Sequence, residues 1–90
     1  MAKYASEDFI CVVTGERGAD KHHIYTRKAN PELKDKQWNA IPICHKLHEE
    51  WHKKGTAYMA SNYLAIAKWL KANGWAWDAV LLKWWHDKSV

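Results

Sequence analysis

Four histidines at fixed spacing constrain this chain more than any other feature: His22 and His23 are adjacent, and His48 and His52 stand four residues apart. Residues i and i+4 of a helix lie one turn apart on one face, so His48 and His52 can ligate a single cation together. Two imidazoles do not complete a metal site. The third ligand must come from another element, and the His22-His23 pair supplies it while leaving one imidazole over as a general base. Neighbours in a regular strand point to opposite faces, so both histidines reach one site only where the strand ends or twists.

Further residues fall in step with these. The run Asn39-Ala40-Ile41-Pro42-Ile43-Cys44-His45-Lys46-Leu47-His48-Glu49-Glu50-Trp51-His52, preceded by His22-His23, resembles the HNH, or ββα-metal (His-Me finger), endonuclease family. The family pattern is HH, a loop, then N-x-x-P-[LI]-C-x-x-C-H-x-x-x-H. Leu47 stands where many members carry cysteine. Upstream, Cys11-Val12-Val13-Thr14-Gly15 looks like the family's C-x-x-C-G knuckle with Thr14 in place of its second cysteine. With only Cys11 and Cys44 left, the structural zinc of four-cysteine members lacks its ligands, so one metal per chain is expected.

The resemblance covers roughly residues 9 to 54 and implies an α+β fold. That fold is a small ββα core, a two-stranded hairpin plus a metal-binding helix, in a single domain over residues 1–90. A C-terminal helix and a Trp-rich tail follow over 56–90. By the same resemblance His22, His48 and His52 hold one divalent ion, His23 is the general base, and Asn39 ties down the loop that carries it. Three imidazoles favour Zn, Ni, Co or Mn over Mg, whose hard sphere prefers oxygen. The implied reaction is hydrolysis of a DNA phosphodiester, with double-stranded DNA as substrate. Arg27, Lys28, Lys34 and Lys36, in and beside the loop, are the candidate phosphate contacts. Compact relatives are common in bacteriophages and bacterial mobile elements. A cytoplasmic setting in a bacterial host or phage-infected cell follows, with a homodimer or a phage packaging or recombination partner as further expectations.

Two alternatives stay open at this stage. His48-Glu49-Glu50-Trp51-His52 also satisfies H-E-x-x-H, the zinc-protease pattern in which the glutamate activates water. That reading leaves His22-His23 and Asn39 unexplained and finds no glutamate after Glu50 for a third ligand. The other is a non-catalytic nucleic-acid-binding module that keeps the metal as a structural staple. His45, one turn before His48, reads as a helix-start residue or a phosphate contact, with an exchange of roles with His48 left open.

Composition agrees with a small polyanion-binding domain. Ninety residues support one modest core, to which seven Trp, four Tyr and one Phe contribute large buried area. A formal charge of +4 and a pI near 9.1 favour a polyanionic partner. Met1 to Asp8 is polar with no apolar stretch after it, no run approaches a membrane span, and two cysteines suit free thiols in a reducing compartment. The resemblance brings Cys11 and Cys44 close together, and Cys44 reads as a small apolar residue rather than a nucleophile.

Along the chain, Phe9 to Val13 reads as a strand entering a glycine turn and Lys21 to Tyr25 as its returning strand. Residues 26 to 37 read as a loop, Trp38 to Ile43 as a second extended segment, and His45 to Lys54 as a helix closed at Gly55. Thr56 begins a second helix to about Asn73, with Met59, Tyr63, Ile66 and Leu70 on one face and Gly74 as its stop. Trp75 to His86 reads equally as a hairpin or a short helix. Its tryptophans suit a core first, with base stacking or a dimer surface as the other roles.

Overall fold

The computed structural model describes residues 9–90; the polar segment 1–8, read above against an export leader, lies outside the described residues. The architecture is α+β, with strand β1 (Asp20–His23), strand β2 (Ala40–Ile43), helix α1 (His45–Asn62), helix α2 (Leu64–Ala72), strand β3 (Ala76–Asp78) and strand β4 (Lys83–Trp85). β1 and β2 pair antiparallel, with Asp20 opposite Ile43 and His23 opposite Ala40. β3 and β4 form a separate hairpin.

The hairpin partner of β1 is therefore β2, and Phe9 to Val13 is not a strand. Its regular pairing reduces to one bridge, Ile10 with Arg17, because the chain turns at once. Gly15 N bonds Cys11 O, and Gly15 and Gly18 both adopt positive φ (74° and 80°), which glycine alone adopts without a Cβ penalty. This narrow loop leans on β2 through Val12 N to Pro42 O at 3.0 Å. Pro42 has no N–H to lose and sits in a two-stranded sheet, where that is tolerated.

The connection from β1 to β2 is ordered. Thr26 Oγ1 accepts from Ala29 N, short 3-10 turns form at Pro31–Leu33 and Gln37–Asn39, and Leu33 is buried. Helix α1 is interrupted at Gly55, whose φ of 85° and ψ of 168° are not helical, so the expected stop falls where glycine stands. The expected helix from Thr56 to Asn73 is instead broken at Tyr63, which is extended (φ −130°, ψ 102°) and donates its hydroxyl to Glu50 Oε1 at 2.7 Å. Thr56 accepts the indole N–H of Trp51 at 3.0 Å.

The core joins Ile41, Ile43, Leu47, Trp51, Met59, Ile66, Leu70 and Trp75 around α1. The segment after Trp75 is a hairpin. Asp78 Oδ1 accepts from Val80 N and Leu81 N, an Asx-type turn that reverses the chain, and Leu82 completes the corner at φ 55°. The tryptophans divide: Trp75 is buried, Trp38, Trp69 and Trp84 are half-buried, and Trp77 and Trp85 are 43% and 47% exposed. Core burial thus holds for only part of the tail: Trp77 and Trp85 lie on opposite faces of a two-stranded hairpin, and neither ring is enclosed. No helix among the described residues is long and apolar enough to cross a membrane.

Candidate functional site

β1 carries Asp20 and His22 on one face, two residues apart, and turns that face to the first half of α1. His22 is 5% exposed, with its ring 4.9 Å from that of His48, 5.1 Å from His52 and 4.6 Å from Trp51, centroid to centroid. One ligand atom from each of His22, His48 and His52 lies within 4.8 Å of the others. His48 Nε2 and His52 Nε2 are 3.1 Å apart. Ligand nitrogens across a tetrahedral zinc are separated by about 3.3 Å, from Zn–N bonds of about 2.05 Å, so the pair on α1 already has the span. The three imidazoles fit one divalent ion with open positions left for other ligands. Among the described residues this is the one group of three or more His, Cys, Asp or Glu so arranged.

Burial is the main reason that the His22 pKa falls from 6.5 to about 3, with the neighbouring His48, His52 and His23 charges adding to it. The ring is therefore neutral at physiological pH and offers a lone pair without first losing a proton.

His23 closes β1, and that position resolves the opposite-face difficulty: at the strand end both histidines border one cleft of about 240 Å³, with Lys21, Thr26, Arg27, His48 and His52. His23 Nε2 lies 3.0 Å from Lys34 O. A carbonyl only accepts, so Nε2 carries the proton and Nδ1 is left as the basic nitrogen. Burial lowers the His23 pKa; the Lys34 bond works against that, and the cationic Arg27 and Lys21 lower it further. The ring is thus held as an unprotonated base near neutrality.

Asn39 is fully buried and satisfied on both ends of its amide. Its Oδ1 accepts from Tyr25 N at 2.7 Å, and its Nδ2 donates to Tyr25 O at 3.0 Å and Leu33 O at 3.3 Å. One short amide so fastens Tyr25, where the loop leaves β1, to Leu33, next to the Lys34 whose carbonyl meets His23. Of the expected phosphate contacts, Arg27 lines the cleft, whereas Lys28, Lys34 and Lys36 stand outside its lining. Lys34 contributes its backbone oxygen to His23. Lys21, not among the four, does line the cleft, and its Nζ sits 4.6 Å over the Phe9 ring.

Sequence reasoning missed Asp20. Its Oδ2 lies 3.0 Å from His48 Nδ1 and 3.0 Å from His45 Nδ1. Burial raises the Asp20 pKa, but the bonds and charges of His48 and His45 outweigh it and hold the carboxyl below its ordinary value. The available signal was a carboxylate two residues before the strand histidine, on the same strand face. His45 opens α1 and pairs through Nε2 with Glu49 Oε1 at 2.8 Å. The Asp20 bond and the charges of Glu49 and Asp20 raise the His45 pKa. His45 is 76% exposed at its side chain and lies outside the three-imidazole group, as does Glu49.

On another side of α1, a broader concavity of about 1010 Å³ is bordered by Thr14, Cys44, Leu47, Lys53 and Tyr63. It lacks converging imidazoles, which border the smaller cleft instead. Beside it Cys11, buried, accepts from Thr14 N at 3.5 Å, while Thr14 is exposed and Leu47 is packed in the core. Both cysteines are free thiols. Burial raises the pKa of each, with the Thr14 bonds reversing the sign for Cys11 and leaving Cys44 raised. Comparisons with family models, curated proteins and solved structures found no match to this chain.

Proposed function

We propose that the chain is an HNH-type endonuclease in which β1, β2 and the first half of α1 form a ββα-metal core acting on a DNA phosphodiester. The observation that carries this reading is that three imidazoles able to hold one ion share a cleft with a fourth, His23, that is outside the ligand set and has its Nδ1 free. A protein that needed only a metal staple would have no use for the fourth.

His22, His48 and His52 hold the ion, which when bound supplies Lewis-acid stabilisation of charge on the phosphate and the departing oxygen. His23 Nδ1 takes a proton from a water molecule, whose oxygen attacks phosphorus as the bond to the 3′ oxygen breaks. Lys34 O orients the base by holding Nε2–H, and Asn39 fixes the loop that presents that carbonyl. Lys21 and Arg27 at the cleft rim, with Lys28, Lys34 and Lys36 along the loop, bind duplex phosphates without reading sequence. The protease alternative is disfavoured because Glu49 is engaged with His45 at the helix start.

Plasmid digestion by wild-type and His23→Ala protein with added Mn, Ni, Zn or Mg tests this. The wild type should nick or linearise the plasmid with at least one ion, and His23→Ala should lose at least a hundredfold of that activity while binding metal as before. Equal cleavage by both proteins would remove His23 from the role of base.

A further inference from the structure

We propose that Asp20 is the positioning residue of the metal centre, its carboxylate fixing the His48 ring so that Nε2 faces His22 and His52. The inference rests on the three-histidine metal reading but not on the nuclease reaction. An imidazole ligand has two nitrogens, and which one is left bare is set by the hydrogen bond that the other makes. Asp20 Oδ2 stands 3.0 Å from His48 Nδ1, and a carboxylate only accepts, so Nδ1 carries the proton. The lone pair is then on Nε2, the atom 3.1 Å from His52 Nε2.

The carboxylate is itself held. Its side chain is 14% exposed, and the same Oδ2 receives a second bond from His45 Nδ1. The strand repeat gives the arrangement its economy: Asp20 and His22 are two residues apart, so β1 sends a ligand and a ligand's partner to one helix face. Partners of this kind orient the ring and raise its basicity, and removing one weakens metal binding by about 10–100-fold. His45 is a surface residue that steadies Asp20 from outside, and its loss leaves the His48 bond in place.

Cobalt(II) titration followed by visible absorption, with 15N shifts of the His48 ring in metal-free protein, tests the role. Asp20→Ala should weaken cobalt binding by about 10–100-fold and remove the fixed Nδ1–H form of His48. Asp20→Asn, which keeps an acceptor oxygen, should retain that form and lose less, and His45→Ala should change affinity by less than about threefold. Unchanged affinity and tautomer in Asp20→Ala would overturn the proposal. Should that variant fail to fold, the Asn variant decides: retained Nδ1–H with weakened binding supports the role, and wild-type affinity with the tautomer lost overturns it. A wild type that takes up cobalt but cleaves no DNA would end the nuclease reading alone; one that takes up no cobalt would end both.

Discussion

The two halves of α1, before and after Gly55, are built for different tasks. The first presents His48 and His52 to β1, and the interior beside it contains two buried polar groups, His22 and Asn39. The second presents Met59 and Ala60 to Ile66 and Leu70, an interior of aliphatic carbon. Cohesion in the second half follows from area removed from water, and any shape that excludes water supplies it. Cohesion in the first rests on Leu47 and Trp51 but also on named partners, since a buried polar group stabilises only while its bonds are made. Damage to the apolar side should therefore melt the whole chain, whereas damage to the polar side should be read mainly in metal binding, pH response and cleavage.

The largest effect should come from Trp75. It is 3% exposed, donates Nε1 to Trp38 O at 2.6 Å, and lies against Tyr25 at 4.8 Å and His86 at 5.5 Å, ring to ring. His86 in turn stacks on Trp38 at 3.7 Å and is bound through its backbone to Tyr25 Oη, so the terminal hairpin clamps the segment leading to Asn39. Trp75→Ala should cost about 3–5 kcal/mol, much of the stability of a domain this size. Thermal unfolding with metal present reads it, and truncation before Trp75 should leave no cooperative transition. A truncated chain that melts cooperatively near the wild-type temperature would show that the first half stands alone.

Asn39→Ala comes next and crosses the divide, because Asn39 lies on the polar side yet behaves as core. Three bonds are lost in a fully buried site, leaving Tyr25 N and two carbonyls without their partner, at about 3 kcal/mol. Urea denaturation should show that loss, and cleavage per folded molecule should fall as well, since the same amide holds the Lys34 loop against His23. A loss of stability with full activity would make Asn39 core alone.

The polar side was also the more legible in the sequence, for a physical reason. Metal ligation demands fixed residue types at fixed spacings, so His22, His48 and His52 stand out against any background, and they converge as their spacing requires. Apolar packing tolerates many arrangements and leaves weaker marks. The helical period ran from Met59 through Tyr63 to Ile66, and nothing marked the break at Tyr63, which has neither glycine nor proline beside it. The exposure of Trp77 and Trp85 depends on the hairpin that Asp78 initiates, a turn that periodicity alone did not separate from a helix. Phe9 to Val13 has strand composition, but Gly15 and Gly18 turn the chain before a ladder can extend. Asp20 was missed because a single carboxylate has meaning only once its strand face is known.

Acid should separate the halves next. In the metal-free protein His22 titrates near 3 when folded and near 6.5 when unfolded, so between those values the unfolded chain binds the extra proton. Stability is then full above about pH 6.5 and falls as pH drops toward 3. One proton corresponds to roughly 1.4 kcal/mol per pH unit, or about 7 °C in Tm for a domain of this size. Melting curves from pH 7 to 4 in chelator read the slope, and His22→Gln should flatten it. An equally steep fall in that variant would assign the acid sensitivity to groups other than the buried imidazole.

Glu49→Gln should do least, and its small effect is informative. In a zinc protease the glutamate of H-E-x-x-H takes the proton from water, and its amide variant is inactive. Here Glu49 is exposed, is paired with the still more exposed His45 at 2.8 Å, and stands outside the group formed by His22, His48 and His52. An exposed pair of this kind contributes little to stability. The amide keeps the length of the side chain and removes only its charge. Plasmid cleavage and cobalt affinity should both stay within about twofold of wild type, by analogy with substitutions at exposed sites remote from the chemistry. Loss of cleavage in Glu49→Gln, with His23→Ala still active, would exchange the two residues' roles and move the proton transfer from the strand end to the helix.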